Sequence, residues 1–215
     1  MTLAAVVFDC DGTIADTESL AERAWSELLG EAGYRPTADD FAAIIGRSFM
    51  HNWQHFRAHV DLGDADAFVA RLRARYTELF AAGLDIYLDA VATIRDVASS
   101  GRAVAVASSS RHRHVIDVLE RAGIAGIVDV VIGADDVARH KPDPLPYARA
   151  VDLLGVPAEH TTAVEDTAVG IASATAAGLF TVAVHRRGGA HELSGADRVV
   201  TQLTLDALHP NDVGT

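Results

Sequence analysis

Short apolar runs that end in polar side chains recur along the chain. The first run occupies residues 3–8 and ends at Asp9, and its length and composition predict a buried β-strand. Later runs of the same kind predict further strands at residues 103–107, 127–132, 162–164, 180–184 and 198–200. Because helical stretches separate these later runs, the pattern predicts right-handed β-α-β crossovers and a parallel sheet.

Residues 17–83 carry a different pattern, in which apolar side chains recur at helical spacing. The first such stripe consists of Leu20, Ala21, Ala24, Trp25, Leu28 and Leu29. Gly30 and Gly33 are predicted to end this helix. Thr37, Ser48 and Asp64 are predicted to cap three further helices, which end near residues 45, 60 and 80.

The two patterns together predict a sheet domain that is interrupted after its first strand by a helical domain. We expect the sheet domain to comprise residues 1–16 and 84–215, and the helical domain to comprise residues 17–83. Hinges are predicted near residues 15–17 and 82–85, where the chain passes between the domains.

Composition and charge narrow the classes of partner. The chain has 215 residues, of which 49% are hydrophobic, so it can bury a sizeable core. Its formal net charge of −12 argues against nucleic-acid and anionic-membrane partners. A single cysteine, Cys10, excludes an intramolecular disulfide, and neither a signal peptide nor a membrane span is expected. We expect a cytoplasmic protein that is a monomer or a weak homodimer.

Two carboxylates follow the first predicted strand. Alternation along an extended chain places Asp9 and Asp11 on one side and turns Cys10 toward the other. Like charges about 4 Å apart repel by roughly 4 kcal/mol at an effective dielectric constant near 20. A cation bound between the two carboxylates would offset this repulsion. The alternative is a capping aspartate and a turn aspartate beside Gly12.

Polar clusters also follow three later runs. Ser108, Ser109 and Ser110 come directly after the strand predicted at 103–107, and Glu165 and Asp166 follow the strand predicted at 162–164. Between them, Lys141 precedes the first of two prolines that stiffen its loop. The carboxyl ends of parallel strands meet in one crevice, where such sheets bind ligands, so these clusters are expected to converge.

In their order and residues, these clusters resemble the motifs of the haloacid dehalogenase superfamily. Asp9-Cys10-Asp11-Gly12-Thr13 matches the first motif, Ser108 the second, Lys141-Pro142 the third, and Glu165-Asp166-Thr167 with Gly170 the fourth. The stretch that continues to Gly178 resembles the branch of β-phosphoglucomutase and phosphoglycolate phosphatase. The resemblance implies a Rossmann-like α/β core with an inserted α-helical cap domain.

The same resemblance implies a magnesium-dependent phosphatase that acts on a small phosphorylated metabolite through an aspartyl-phosphate. Asp9 would be the nucleophile and Asp11 the general acid and base. Phosphate would be bound by Ser108, Ser109 and Lys141. Mg²⁺ would be held by Asp9, the backbone carbonyl of Asp11, Asp166 and, directly or through water, Glu165.

The substrate is expected to be selected by the helical domain, where the sequence is less specific. Arg47 is a candidate for a substrate anion, and His51 is a second candidate near the start of a helix; solvent exposure explains Arg47 equally well. His51, His55 and His59 recur every four residues and so lie on one helical face. These histidines can be interpreted either as a transition-metal site or as ordinary residues of a helix, and the second case is more common in proteins.

Three other functions remain as alternatives. A β-phosphoglucomutase-like sugar phosphomutase is disfavoured, because relatives of that type have a histidine where this chain has Ala21. A dehalogenase is disfavoured because relatives of that type tend to lack the second aspartate, and Asp11 is present here. A non-catalytic relative is disfavoured because the motif residues are intact. A further departure, Leu88-Asp89 in place of the usual Pro-Gly turn, is expected to affect only local geometry.

Overall fold

The apolar run at the start of the chain forms the middle of a parallel sheet. The computed structural model describes residues 2–44, 49–186 and 193–210. Within these residues the strands are β1 (Ala5–Phe8), β2 (Ala103–Ala107), β3 (Val130–Ile132), β4 (Thr161–Glu165), β5 (Phe180–Val184) and β6 (Arg198–Val200). Their order across the sheet is β3-β2-β1-β4-β5-β6, and all described neighbours pair in parallel. The predicted Rossmann-like α/β fold is confirmed.

Helices connect the strands and also form the segment between β1 and the rest of the sheet. In the described ranges they are α1 (Thr17–Glu31), α2 (Ala38–Ile44), α3 (Phe49–Arg57), α4 (Ala65–Ala82), α5 (Leu88–Ser99), α6 (His112–Arg121), α7 (Leu145–Leu154) and α8 (Ala168–Ala176). The chain divides into two compact units, a sheet unit of Met1–Asp16 with Ile86–Thr215 and a helical unit of Thr17–Asp85. That the helical unit acts as a cap stays a prediction.

The strand order reverses at β1. Ala5 pairs with Ala103 of β2 on one side and with Thr161 of β4 on the other, so the strands on its two sides are far apart in sequence. Every residue of β1 is buried, which explains its uninterrupted apolar run. The carboxyl ends of β1, β2 and β4 therefore lie side by side at the reversal point, where such sheets bind ligands.

The helical unit has its own apolar core, which is rich in aromatic rings. Its buried residues are Trp25, Leu28, Leu29, Ile44, Trp53, Phe56, Leu62 and Phe68. The ring of Trp25 lies 5.3 Å from that of Phe56 and 5.2 Å from that of Phe68, in tilted arrangements that aromatic pairs favour. This core contains three of the six residues of the apolar stripe predicted on α1, namely Trp25, Leu28 and Leu29.

Several predicted boundaries are wrong by a few residues. Helix α1 continues through Gly30 and ends after Glu31, because a single glycine in an exposed helix costs only about 1 kcal/mol and the buried Leu28 and Leu29 hold the turn. Gly33, with φ +86°, makes the turn that follows. Helix α3 ends at Arg57 rather than near residue 60. Gly46, Arg47 and Ser48 lie outside the described residues.

The strand predicted at 127–132 begins later, at Val130. Residues 125–127 form a short 3₁₀ turn instead. The Asp129 carboxylate accepts a hydrogen bond from the Val104 backbone N–H at 2.9 Å, so a side chain occupies a position that a strand carbonyl would otherwise take. Over the described ranges, no helix is both long and apolar enough to cross a membrane.

Candidate active site

The loop after β1 presents two carboxylates at the carboxyl edge of the sheet. The Asp9 backbone N–H still donates to the Val164 carbonyl of β4, at 2.8 Å, so Asp9 is held in line with the sheet. Its side chain is only 7% exposed, whereas that of Asp11 is 27% exposed. Cys10 between them is fully buried, and burial raises the pKa of its thiol well above the usual range. Cys10 is therefore an inert packing residue.

Gly12 allows this loop to approach Asp166. Its φ is +79°, in the left-handed region, and a Cβ at this position would lie 2.0 Å from the Oδ2 atom of Asp166. Both the turn and the close approach therefore need a glycine. Thr13 is fully buried, and its hydroxyl points to Oδ1 of Asp166 at 3.5 Å, which is the long limit of a hydrogen bond.

Lys141 is buried beside Asp9. Its ammonium donates to Asp9 Oδ1 at 2.6 Å, to Glu165 Oε1 at 2.5 Å and to the Ala107 carbonyl at 2.9 Å. Burial alone would lower the pKa of Lys141, but the negative charges of Asp9 and Glu165 outweigh it and raise that pKa. The lysine is therefore a fixed positive charge, and these acceptors, with the Tyr147 hydroxyl at 3.4 Å, direct it toward the end of β1.

Glu165 has both carboxylate oxygens occupied. Oε1 accepts from Lys141 and from the hydroxyl of Tyr147 at 2.7 Å. Oε2 accepts from the backbone N–H groups of Asp166 and Thr167 and from the Thr167 hydroxyl, at 3.0–3.3 Å. Five donors meet about four lone-pair positions, so in this arrangement the carboxylate is used for orienting its neighbours. Gly170 makes room for it, since a Cβ there would lie 1.8 Å from Oε1.

Asp11 is held from the other side of the crevice. Its Oδ2 accepts from the Ser110 hydroxyl at 2.7 Å and from the Ser108 hydroxyl at 3.0 Å. The His114 ring, in the first turn of α6, lies 3.4 Å from Oδ1. Ser109 is exposed. The predicted serine cluster therefore meets the first motif through its first and third members.

The carboxylates exceed the cations in this crevice. Burial raises the pKa of Asp9, Lys141 opposes the rise, and the charges of Glu165 and Asp11 add to it. Oxygen atoms of Asp9, Glu165 and Asp166 lie within 4.8 Å of one another. An all-oxygen set of ligands with surplus negative charge suits a hard divalent cation, so the residues present fit the metal that the resemblance implies.

An ion pair supports the loop that follows Gly12. The guanidinium of Arg186, just beyond β5, makes two hydrogen bonds to the Asp89 carboxylate at 2.8 and 2.9 Å and lies 3.4 Å from the carbonyl of Thr13. The Leu203 backbone N–H also donates to Asp89, at 2.8 Å. Asp89 thus connects three parts of the sheet unit, a role that the sequence comparison of Leu88-Asp89 with a Pro-Gly turn did not suggest.

The structure brings six of the predicted site residues together at the edge of the sheet. Those that converge are Asp9, Asp11, Ser108, Lys141, Glu165 and Asp166. Arg47 lies outside the described residues, and His51 is an exposed residue of α3 in the helical unit. Sequence reasoning missed His114 and Tyr147 as neighbours of the site, and it included Ser110 in the serine cluster without giving it a role. The position of Ser110, two residues after Ser108, could have indicated its place near the site. The sequence around Tyr147 indicates only an ordinary core residue of a helix.

The chain is similar to known proteins over most of its length. The sequence model of haloacid dehalogenase-like hydrolases matches residues 3–178. Protein CbbY of Rhodobacter capsulatus is 33% identical over 96% of this chain and 96% of its own length. The fructose-1-phosphate phosphatase YqaB of Escherichia coli is 33% identical over 84% of this chain and 96% of its own length.

A solved structure is similar over nearly the whole fold. CbbY from Rhodobacter sphaeroides, in complex with xylulose 1,5-bisphosphate, is 27% identical and covers 96% of this chain and 99% of its own. Its TM-score against this chain is 0.78. The residues that the family model matches, 3–178, include all four polar clusters that meet at the sheet edge.

Proposed function

The chain belongs to the haloacid dehalogenase-like hydrolases, and from that premise we propose that it is a magnesium-dependent phosphatase of small sugar phosphates and related phosphomonoesters. The observation that carries the proposal is the placement of Lys141 against one oxygen of Asp9. Among the described residues, the hydrogen bond to the Asp9 carboxylate goes to Oδ1. Oδ2 is therefore the oxygen that attacks phosphorus and forms the aspartyl-phosphate.

Asp11 serves as the general acid and base. Protonation of the leaving oxygen makes the ester bond easier to break, and removal of a proton from water then makes the water a better nucleophile toward the aspartyl-phosphate. Ser108, Ser110 and His114 orient the Asp11 carboxylate. This orientation matters because a misplacement of about 1 Å at a reacting group can cost roughly a hundredfold in rate.

Phosphate binding is assigned to Lys141, Ser108 and the backbone of the loop that contains Ser109. Lys141 balances the charge that develops on the phosphoryl oxygens, and it is held for this purpose by Glu165 and the Ala107 carbonyl. The Ser108 hydroxyl bonds Asp11 in this structure. Turning toward a bound phosphate would require it to exchange one acceptor oxygen for another.

Mg²⁺ fits the carboxylate cluster, and Asp9, the backbone carbonyl of Asp11 and Asp166 would hold it. When bound, it would supply positive charge beside the transferring phosphoryl group. Glu165 is assigned a positioning role, because its oxygens already accept five hydrogen bonds from the protein. Gly12 contributes by letting Asp166 lie against the first loop.

Two similarities favour a sugar phosphate as the substrate. YqaB is named for fructose 1-phosphate, and CbbY from Rhodobacter sphaeroides was solved with xylulose 1,5-bisphosphate. Hydrolysis is preferred over phosphomutase activity because of Ala21. A mutase must keep water away from its aspartyl-phosphate, and relatives of that type use a histidine at this position, as the sequence resemblance implies.

The proposal is tested by measuring phosphate release from a panel of esters, with Mg²⁺ and with chelator. The panel contains fructose 1-phosphate, xylulose 1,5-bisphosphate, phosphoglycolate and β-glucose 1-phosphate. We expect release that requires Mg²⁺ and is absent in Asp9→Asn. Conversion of glucose 1-phosphate to glucose 6-phosphate without release would overturn hydrolysis in favour of the mutase.

The aspartyl-phosphate has its own test in Asp11→Asn. An ester with a good leaving group needs no proton from Asp11 for the first step, whereas the second step still needs a base. The variant should therefore accumulate phosphoprotein, which intact-protein mass spectrometry detects and which Asp9→Asn should abolish. A wild-type rate in Asp11→Asn with a poor leaving group would contradict the role given to Asp11.

A further inference from the structure

The helical unit contains a cluster of metal-ligating side chains that the proposed function does not use. Asp40 comes from α2, His55 from α3, and His59 from the turn after α3. Their ligand atoms all lie within 4.8 Å of one another. The sequence analysis noted the two histidines as part of a four-residue ladder with His51. The structure adds the carboxylate from a different helix.

Asp40 is fixed from one side. Its Oδ2 accepts hydrogen bonds from the Thr37 backbone N–H at 2.8 Å, the Thr37 hydroxyl at 2.8 Å and the Tyr34 hydroxyl at 3.0 Å. Thr37 and Asp40 form a capping box at the start of α2, since the Asp40 N–H donates back to the Thr37 hydroxyl. Oδ1 is left to face the histidines, and His55 Nε2 lies 2.9 Å from it.

The capping box explains Oδ2 but leaves the histidines unexplained. His59 stacks on the ring of Tyr34 with centroids 5.3 Å apart, and its ring lies 5.6 Å from that of His55. Tyr34 therefore contacts both Asp40 and His59. Ligating carboxylates in metal sites are commonly held in this way by a further hydrogen-bonding residue.

The distances suit a small divalent ion. Metal–nitrogen and metal–oxygen bonds of about 2.0–2.2 Å place two ligand atoms of one ion roughly 3 Å apart. His55 and Asp40 already have that separation. His59 is exposed, so a change of side-chain rotamer can bring its ring nitrogen closer, and the same exposure gives an ion access from solvent.

We propose that Asp40, His55 and His59 bind a divalent transition-metal ion of the zinc type, with solvent completing its coordination. Two imidazoles and one carboxylate favour Zn²⁺ or Ni²⁺ over Mg²⁺, which prefers oxygen ligands throughout. The site is therefore chemically distinct from the carboxylate cluster at the sheet edge.

A bound ion would join α2 to α3. Asp40 lies in the first turn of α2, and His55 lies in the last turn of α3. The ion would therefore link two short helices that otherwise rely on the aromatic core for their packing, and it should stabilise the folded helical unit by mass action.

The test is a calorimetric titration of the 215-residue chain with Zn²⁺ in the presence of excess Mg²⁺. Excess Mg²⁺ occupies the oxygen ligands of the sheet unit. His59→Gln should weaken Zn²⁺ binding by at least about tenfold, as loss of a ligand or its support typically does. His51→Gln is the matched control, because His51 lies on the same helical face outside the cluster.

Nuclear magnetic resonance of the histidine ring nitrogens gives a second readout that does not depend on activity. Zn²⁺ should shift the ring signals of His55 and His59 and leave that of His51 unchanged. An equal loss of affinity in the His51 and His59 variants, no loss in His59→Gln, or unshifted His55 and His59 signals would overturn the proposal. Because His59 is exposed, its variant is expected to fold, which circular dichroism checks.

Discussion

Asp9 in the sheet unit and Asp40 in the helical unit are both buried aspartates, with opposite surroundings. Asp9 faces Glu165 and Asp11 and has Lys141 as its partner, and burial raises its pKa. Asp40 faces N–H and O–H donors and an imidazole, and its pKa is lowered. Burial alone therefore does not determine the direction in which the pKa of a carboxylate shifts. The charges and hydrogen-bond donors around the carboxylate determine that direction.

The comparison also separates function from stability. Surplus negative charge at the sheet edge is unfavourable for folding but useful for binding a cation and a phosphoryl group. The hydrogen bonds around Asp40 stabilise the start of α2 and its contact with α3. We therefore expect substitutions at the two aspartates to have opposite effects on stability, and the following variants test this in order of expected effect.

Asp9→Asn should produce the largest change, a loss of phosphate release of about 10⁴-fold or more, since the nucleophile is removed. In chelator, its melting temperature should stay the same or rise by about 2 °C, because one of several neighbouring negative charges is gone. Calorimetric melting measures this. A clear fall in melting temperature would show that the Lys141 pair dominates, and the comparison with Asp40 would fail.

Asp89→Asn tests whether the difference between Asp9 and Asp40 comes from the unit in which each aspartate lies or from the groups around it. Asp89 lies in the sheet unit like Asp9, but burial is outweighed there by Arg186 and the Leu203 N–H, which keep its pKa below the usual range. Its loss should lower the free energy of unfolding by about 2 kcal/mol at neutral pH, as expected for hydrogen bonds to a charged group.

The pH dependence of that loss has a definite sign. A carboxylate whose folded pKa is lowered contributes stability above its unfolded pKa of about 3.9, and the contribution disappears as the pH falls through the folded value. The difference between wild type and Asp89→Asn should therefore be constant near neutrality and shrink below about pH 4. Denaturant unfolding across pH measures it, and a difference that grows in acid would contradict the assignment.

Asp40→Asn should lower the free energy of unfolding by about 1.5 kcal/mol, because the capping box and the His55 contact are weakened. Asp39→Asn removes the same charge from the same turn of α2 at an exposed position, and should change stability by less than about 0.5 kcal/mol. Urea unfolding of both variants gives the comparison. Equal effects would mean that net charge, and not the donors around Asp40, is responsible.

His114→Ala should have the smallest effect, a fall of about fivefold in kcat with little change in KM, since Ser108 and Ser110 still hold Asp11. His114→Gln keeps a side chain of similar length with an N–H donor, and it should therefore recover part of the rate. Arg113→Gln, at the exposed neighbouring position of α6, is the control. Steady-state kinetics distinguishes these, and a change in KM alone would assign His114 to substrate binding.

The sequence predicted the sheet and its polar edge well, for a physical reason. Asp9, Ser108 and Glu165 each lie at the end of an apolar run, and the parallel arrangement carries the ends of those runs to one place, so their convergence could be predicted without knowledge of packing. Gly30 shows the limit of such reasoning, because helix α1 continues through it where Leu28 and Leu29 are buried. Local propensity is outweighed there by tertiary contacts.

The residues that sequence reasoning missed depend on contacts between distant segments. His114 reaches Asp11 across 103 positions, and Asp89 meets Arg186 across 97. Neither pair has a pattern that marks it in advance. In the helical unit, the ladder of histidines was visible, but Asp40 was not associated with it, because only the packing of α2 on α3 brings the two together.

The central position of β1 has a consequence for how the chain is made. Among the described strands of the sheet, Ala5–Phe8 leaves the ribosome before the others, yet β4, which pairs with one of its edges, ends at Glu165. At synthesis rates of about 5–20 residues per second, that apolar edge waits roughly 10–30 seconds for its partner. Nascent chains truncated before residue 161 should therefore expose a Val-rich strand edge that is prone to pair with other chains.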